Sequence, residues 1–168
     1  MNSVTNGMED IVQQILDVLA EKKIDYCVIG GLAVNAFVEP VVSLDLDLVV
    51  VAEAMHDLLI AVEKNFSVVT FPHSINLNSA KSDLRIQIQT DPRYQEFIAR
   101  AKYKNVLGYK LPVATIEDVL RGKIWAVEDK TRRASKRQKD LSDILRLVER
   151  KRKLAARLPR SLKKKLSL

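Results

Sequence analysis

The chain has 168 residues, of which 47% are hydrophobic and 29% charged, and this fits one soluble domain with a packed core. Its single cysteine, Cys27, excludes an intrachain disulfide, and the apolar neighbours of this residue predict a buried thiol. No apolar run approaches the roughly 20 residues that span a bilayer, and the first thirty residues lack the pattern of a secretory signal. We therefore expect a cytoplasmic protein with no membrane-bound part.

The net charge of +7 is distributed unevenly along the chain. Residues 121–168 contain 18 of the 28 Lys and Arg residues but only 5 of the 21 Asp and Glu residues. The preceding residues are therefore acidic in balance. Such asymmetry predicts an anionic partner, which would be a nucleotide, a nucleic acid or an acidic protein. A basic helix that is simply solvated explains the same charges equally well.

The first 71 residues alternate between helical and extended apolar patterns. Residues 8–22 place Ile11, Ile15 and Leu19 on one helical face. Residues 44–51 begin with alternation and end in a continuous apolar run, which is typical of a strand with one end open to solvent. The predicted helices are residues 8–22, 32–38 and 53–64, and the predicted strands are residues 25–29, 44–51 and 66–71.

The following segment continues this pattern. Residues 84–89 alternate strictly between apolar and polar side chains, which predicts a strand with one face of each kind. Residues 94–102 are predicted as a short helix. Residues 105–113 are predicted as two extended pieces joined by a turn at residues 107–109.

The last third of the chain has a helical pattern. Thr115 is a good helix N-cap, and Asp118 stands three residues later, where a capping box places an acidic side chain. Residues 135–154 predict a long basic helix with a narrow apolar stripe, and residues 158–168 are expected to fray.

Interleaved helices and strands followed by a helical third predict an α/β or α+β fold with a small mixed sheet. We expect a core of residues 1–113 and a basic helical extension of residues 114–168 that packs on this core.

The most informative pattern is Gly30-Gly31, a short helix, and then Asp45-Leu46-Asp47. Two glycines before a helix let the backbone approach an anion closely and direct free N–H groups at it. Aspartates two apart on a strand point to the same face, where their carboxylates can share a hard cation such as Mg²⁺. Together these features indicate phosphoryl or nucleotidyl transfer.

Each half of this pattern also has a plain structural explanation. Two glycines after a strand can form an ordinary turn, and two aspartates on a strand can be a solvated pair. Their order and their apolar surroundings favour a site, because charges on a buried strand need a reason to be there. The residues expected to anchor that strand are Leu44, Leu46, Leu48 and Val49.

Residues 26–34 (YCVIGGLAV) followed by residues 43–48 (SLDLDL) resemble the signature of the DNA polymerase β-like nucleotidyltransferase superfamily. The downstream half is similar to the AbiEii/AbiGii-type toxin branch, in which a helix with a basic residue leads into an Arg-rich stretch and a Lys-Asp-x-x-Asp element. Here these are the helix from Thr115 to Lys123, then Arg132 and Arg133, then residues 139–143 (KDLSD). The resemblance covers about residues 10–148.

The resemblance implies a nucleotide site and a metal site. Gly30 and Gly31 would cradle the triphosphate of an NTP, with Ser43 as a further nucleotide-binding residue. Asp45 and Asp47 would bind Mg²⁺ and take part in catalysis.

The resemblance also implies roles for two residues of the C-terminal third. Lys123 would contact the phosphates, and Asp140 would orient either Lys123 or the acceptor. In the alternative interpretation Lys123 is a solvated surface residue, and Lys139 and Asp143 form a surface pair at i and i+4.

The sequence departs from the superfamily at one position. Many members have a third carboxylate on a later strand, and the corresponding position here is Gln87. A glutamine amide is uncharged and is a poor Mg²⁺ ligand. Asp83 and Asp91 share its strand face but lie about 13 Å away along an extended chain, too far for direct replacement.

The resemblance therefore implies a Mg²⁺-dependent enzyme that transfers a nucleotidyl group from an NTP to an RNA, such as tRNA, or to a protein. It further implies the toxin half of a toxin–antitoxin pair, with an antitoxin protein as partner. The alternative is a catalytically silent member of the same fold that binds nucleotide, RNA or protein. Gln87 favours the silent protein, and the intact aspartate pair favours the enzyme.

Overall fold

The computed structural model describes the backbone of residues 3–168 and the side chains of residues 11–168. In this range the helices are α1 (Ser3–Glu21), α2 (Gly30–Asn35), α3 (Met55–Val62), α4 (Phe97–Arg100), α5 (Ile116–Glu128), α6 (Ala134–Arg150) and α7 (Arg160–Lys165). The strands are β1 (Tyr26–Ile29), β2 (Asp45–Val50), β3 (Ser67–Phe71), β4 (Ser74–Ser79), β5 (Ser82–Gln89), β6 (Lys102–Val106) and β7 (Tyr109–Val113). Short 3₁₀ helices lie at Ala52–Ala54, Pro92–Tyr94 and Arg152–Arg157.

These strands form one mixed sheet in the order β3-β4-β5-β2-β1-β7-β6. The pairs β2–β5 and β1–β7 are parallel, and the four others are antiparallel. A mixed sheet with interleaved helices confirms the predicted fold class. The division at residue 113 stays a prediction.

Strand β2 lies at the centre of the sheet, and its register places the two aspartates. Its side chains alternate, so that Leu46 and Leu48 are fully buried while Asp45 and Asp47 share the opposite face. Asp47 pairs with Ile29 at the end of β1 and with Gln87 on β5. The aspartate pair therefore stands where β1 passes into α2.

The helices pack on this sheet and on one another. α1 contacts β5 and α3, whereas α2 and α4 contact β1 and β2. α5 contacts α2 and α6, which brings the C-terminal third against the aspartate-bearing part of the sheet. No helix in the described part of the chain combines the length and the apolar character needed to cross a bilayer.

Three aromatic rings fix the position of α5. Tyr94 meets Phe97 and Trp125 edge-on, with ring centroids 5.2 and 5.0 Å apart, and Phe97 stacks on Trp125 at 5.7 Å. Each such pair stabilises a fold by roughly 0.5–1.5 kcal/mol beyond its buried area. The start of α5 is confirmed as well, because the Thr115 hydroxyl accepts a hydrogen bond from the Asp118 N–H at 3.2 Å. The Asp118 carboxylate instead accepts two hydrogen bonds from Arg100.

The sequence pattern missed one strand and misplaced one anchor. β4 consists of alternating buried Ile75 and Leu77 with asparagines and serines, which are rare in strands, and its partners β3 and β5 supply the pairing. Leu44 precedes β2 and is 50% exposed, so its predicted role as an anchor is wrong. Leu46, Leu48 and Val49 are fully buried, as predicted.

The C-terminal segment also differs from the prediction. α6 ends at Arg150 instead of continuing to residue 154, and a 3₁₀ helix follows. The prediction of a frayed end is wrong, because residues 160–165 form α7 and Leu154, Leu158 and Leu162 are buried. These three leucines are spaced four apart and attach the basic end to the body of the protein.

Candidate active site

A cavity of about 190 Å³ opens beside the aspartate pair. The end of β1, the start of α2, β2, β5, α5 and the first half of α6 each contribute side chains to it. Every residue predicted to act in the site lines this cavity: Gly30, Gly31, Ser43, Asp45, Asp47, Lys123 and Asp140. The fold thus brings together residues that are up to 110 positions apart in the sequence.

Two cationic side chains, Arg85 and Lys136, contact the carboxylate of Asp45. Arg85 donates from Nε to Asp45 Oδ1 at 2.9 Å, and Lys136 Nζ lies 3.8 Å from Asp45 Oδ2. Arg85 comes from the neighbouring strand β5, directly in register with Asp45, and Lys136 comes from the first turn of α6. The carboxylate is therefore held between β5 and α6.

Asp47 has no ion pair within 4 Å among the described residues. Burial raises the pKa of its carboxyl group from 3.8 to about 6, an effect that Lys123 opposes and that the negative charge of Asp45 reinforces. A half-buried carboxylate without a direct ion-pair partner is well placed to gain from a cation in the cavity.

Gly30 makes the close packing around Asp47 possible. It has a φ of +71°, and a Cβ at this position would lie 2.1 Å from Asp47 Oδ2. At Gly31 a Cβ would lie 3.4 Å from the Ser43 hydroxyl oxygen, which is nearly an ordinary contact. Both glycines belong to the first turn of α2, so the prediction that they precede the helix is corrected by two residues. The first N–H groups of a helix have no partner within it, and here they belong to glycines.

The loop between α2 and β2 is fixed from both sides. Asn35 donates to the Val41 carbonyl at 2.7 Å and accepts from the Val41 N–H at 3.1 Å. Arg146 donates to the Asn35 side chain and to the Glu39 carbonyl. Ser43 follows on this loop, and its hydroxyl lies 3.4 Å from the Asp45 carbonyl oxygen. Ser43 is thus placed between Gly31 and the aspartate pair.

Lys123 is buried, with 8% of its surface exposed, so the alternative interpretation as a solvated residue is wrong. Its Nζ lies 3.0 Å from Asp140 Oδ1 and 2.9 Å from Asp143 Oδ2. Burial alone would lower the pKa of Lys123, but the two carboxylates outweigh it and raise the pKa above its usual value. Lys123 therefore presents a permanent positive charge to the cavity.

Asp140 and Asp143 are each shared between two cations. Arg132 Nε donates to Asp140 Oδ2 at 2.6 Å, and Arg146 Nη1 donates to Asp143 Oδ1 at 2.9 Å. Asp143 therefore pairs with Lys123 and Arg146 and not with Lys139 as the surface interpretation had it. Asp140 has the geometry needed to orient Lys123, as expected, and its role in catalysis stays a prediction.

Gln87 lies beside the aspartates, as predicted, because β5 runs parallel to β2 with Gln87 in register with Asp47. Its amide lines the cavity. Across the described residues, no group of three or more His, Cys, Asp or Glu side chains has the arrangement of a metal site. Asp45 and Asp47 share one face of β2 and could supply two carboxylate oxygens, and two such ligands plus substrate phosphates would suit Mg²⁺.

Four further residues belong to the site although the sequence did not indicate them. Arg85 and Lys136 contact Asp45, and Tyr94 and Phe97 form an apolar wall of the cavity. The alternation of residues 84–89 already predicted that Arg85 lies on the same strand face as Gln87. The parallel pairing with β2 is needed to see that this face meets Asp45.

The fold is shared with solved nucleotidyltransferases. The antibiotic-resistance factor ANT(2″)-Ia, in complex with adenylyl-2″-tobramycin, superposes with a TM-score of 0.63 at 15% identity over 94% of this chain and 95% of that one. The lincosamide antibiotic adenylyltransferase LnuA, bound to lincomycin, gives 0.56 at 14% identity over 83% and 97%. An antigenic nucleotidyltransferase-like protein from Paracoccidioides brasiliensis gives 0.54 at 21% identity over 83% and 74%.

The sequence matches no protein-family model and no curated protein. The structural likenesses show that the chain has the nucleotidyltransferase fold, as the sequence resemblance implied.

The two glycines give a matched pair of substitutions. We expect Gly30→Ala to lower the free energy of unfolding by about 2 kcal/mol, because it combines an unfavourable positive φ with a clash against Asp47. Gly31→Ala should change the stability by less than about 1 kcal/mol, since alanine is the better helix former and the space exists. Urea unfolding of both variants measures this. The cost of Gly30→Ala should shrink in an Asp47→Ala background, and an unchanged cost there would contradict the proposed clash.

The raised pKa of Asp47 makes the stability of the metal-free protein depend on pH. The folded state favours the protonated carboxyl of Asp47. The stability of the fold is therefore not reduced by this group below about pH 4, and it falls as the pH rises through about 6 and the carboxyl ionises. Asp47→Asn should therefore be more stable than the wild type by about 1–3 kcal/mol at pH 7.5 and not at pH 4. Unfolding of both proteins in EDTA at pH 7.5 and pH 4 tests this. An equal difference in stability at the two pH values would show that ionised Asp47 does not destabilise the fold.

Proposed function

We propose that this chain is a Mg²⁺-dependent nucleotidyltransferase that moves a nucleotidyl group from an NTP to a hydroxyl group of an RNA or a protein. The main support is one arrangement: Asp45 and Asp47 face the first turn of α2, with Lys123 held in the same cavity. The neighbours that share the fold include an adenylyltransferase and a protein solved with an adenylylated antibiotic. The antibiotic acceptors are properties of those proteins and are not carried over to this chain.

The reaction requires the cavity to bind a highly negative triphosphate. Lys123, Arg132, Lys136 and Lys139 line the cavity together, and the backbone of Gly30 and Gly31 adds N–H groups. Lys123 is best placed to hold its charge at a fixed position, because two buried carboxylates orient it. Such fixed charges stabilise the transferring group without reorganising during the reaction.

In the proposed reaction the acceptor oxygen forms a bond to the α-phosphorus of the NTP. The bond from that phosphorus to the bridging oxygen of the β-phosphate breaks, and pyrophosphate leaves with its electron pair. Mg²⁺ held by Asp45 and Asp47 would neutralise phosphate charge during this exchange. Gln87 cannot accept the hydroxyl proton at neutral pH, and in the proposed reaction this proton is released to solvent water.

The exposed positive charges of the C-terminal segment support RNA as the acceptor. The basic residues after α6 are mostly exposed, and the described residues show no ion pair for Arg152, Lys153, Arg160, Lys164 or Lys165. An RNA acceptor would neutralise this surface. A role as the toxin of a toxin–antitoxin pair, with an antitoxin partner in the cytoplasm, is part of the same proposal. It rests on the resemblance of the downstream half, which comprises residues 115–123, Arg132 and Arg133, and residues 139–143.

A catalytically silent protein that binds nucleotide is the second candidate. Gln87 favours it, because a neutral amide stands beside Asp47 where a third carboxylate would complete a larger metal site. The two candidates share the metal and nucleotide site and differ in whether pyrophosphate is released.

The aspartate pair is the direct test of the proposed reaction. Asp45→Asn with Asp47→Asn should abolish transfer from each labelled NTP to total RNA or protein, because no carboxylate remains to hold Mg²⁺. Transfer is followed on a gel, with and without Mg²⁺. Asp57→Asn is the control, since Asp57 is exposed on α3. Undiminished transfer by the folded double variant would contradict the metal assignment, and nucleotide binding without any transfer by the wild type would favour the silent protein.

The basic end distinguishes an RNA acceptor from a protein acceptor. Truncation is unsuitable because Leu154, Leu158 and Leu162 are part of the core, so the charges are removed instead by changing Arg160, Lys164 and Lys165 to Gln. If RNA contacts them, its affinity should fall, and the slope of log affinity against log salt should become shallower by about 2.

The control for this experiment is a variant in which Lys22, Lys23 and Lys64, which are also exposed, are changed to Gln. Equal loss of RNA affinity in the two variants would show that only total charge matters. No loss in the first variant would leave the basic end as a solvated or protein-facing segment.

A further inference from the structure

Arg85 has no place in the reaction described above, yet it contacts one of the two proposed metal ligands. It lies on β5 in register with Asp45, and its Nε donates to Asp45 Oδ1 at 2.9 Å. Its side chain is 51% exposed, so no packing demand explains why an arginine stands at this position. Its terminal amino groups make no hydrogen bond to any described residue, which leaves them free to contact a ligand.

Arg85 and Gln87 lie two residues apart on the same face of β5. A second divalent cation in a two-metal site lies about 3.5–4 Å from the first and must share ligands with it. Asp45 and Asp47 both lie beside β5, and at Asp45 the Arg85 guanidinium already contacts Oδ1. Gln87, the other residue that could provide a ligand from β5, is uncharged.

The charges near the aspartate pair agree with this geometry. Asp45 and Asp47 supply two negative charges, and Arg85 and Lys136 place two positive charges within 4 Å of Asp45. One divalent cation, bound with the phosphates of a nucleotide, completes such a site. A second one would find no further carboxylate, because both oxygens of Asp45 already face a cation and Gln87 is uncharged.

We propose that the Arg85 guanidinium takes the place of a second metal ion, so that the cavity holds one divalent cation for each bound NTP. This role of Arg85 rests on the proposed nucleotide site and concerns which positive charges accompany the bound nucleotide there. Arg85 then supplies a positive charge beside Asp45. Arg85 is a positioning residue. Together, Arg85 and the uncharged Gln87 leave no ligand on β5 for a second metal ion.

The test counts bound Mn²⁺ by electron paramagnetic resonance, with the protein saturated by α,β-methylene-ATP, which cannot transfer its nucleotidyl group. The wild type should bind one Mn²⁺ per protein–nucleotide complex. The double variant Arg85→Gln with Gln87→Asp removes the cation and restores a carboxylate, and it should bind two. Arg85→Lys keeps the charge and should still bind one.

Two single variants make the result specific. Arg85→Gln alone should keep one Mn²⁺ but bind it about two- to fivefold more tightly, because a cation competing for Asp45 is gone. Arg121→Gln is the matched control, since Arg121 is also partly exposed but pairs with Glu96 and Asp118 away from the aspartates. Arg121→Gln should bind the same number of Mn²⁺ ions as the wild type, with the same affinity.

Two Mn²⁺ ions in the wild type, or a single ion in the double variant, would overturn the role of Arg85 while leaving the proposed function intact. If the wild type bound neither Mn²⁺ nor the nucleotide analogue, the proposed function itself would fail, and this proposal with it.

Discussion

The contact between the Gly30 backbone and the Asp47 carboxylate determines how the site is built. Asp47 lies on a central strand between fully buried leucines, and Gly30 lies so close to it that no side chain fits between them. Burial raises the pKa of Asp47 to about 6, so the fold holds a carboxylate that is ionised at neutral pH only at a cost. A cation in the cavity would remove this cost, and the same backbone turn offers N–H groups to the phosphates that accompany it.

The remaining charges are arranged around this strained carboxylate. Asp45 is neutralised directly by Arg85 and Lys136, while Lys123 acts on Asp47 from a greater distance. Lys123 is itself held by Asp140 and Asp143, and these are held by arginines of α6 and of the loop before it. A buried network of this kind contributes little net stability, because desolvation offsets its attraction. Its value lies in fixing the position of one positive charge.

Local patterns in the sequence predicted much of this arrangement. The alternation of residues 44–51 placed both aspartates on one face, and Thr115 identified the start of α5, because each depends on near neighbours in the chain. The contact of Arg85 with Asp45 spans 40 residues and depends on the parallel register of β2 and β5, which no local pattern contains. β4 was missed because its asparagines and serines resemble a loop, and the C-terminal leucines were missed because packing against a distant surface buries them.

Crystals grown with Mn²⁺ and a non-hydrolysable NTP analogue would show where the metal binds, because anomalous diffraction locates Mn²⁺. We expect one anomalous peak between the carboxylates of Asp45 and Asp47, with the triphosphate against the first turn of α2 and Lys123 near its oxygens. A peak at another place, or a nucleotide bound away from Gly30 and Gly31, would contradict this expectation.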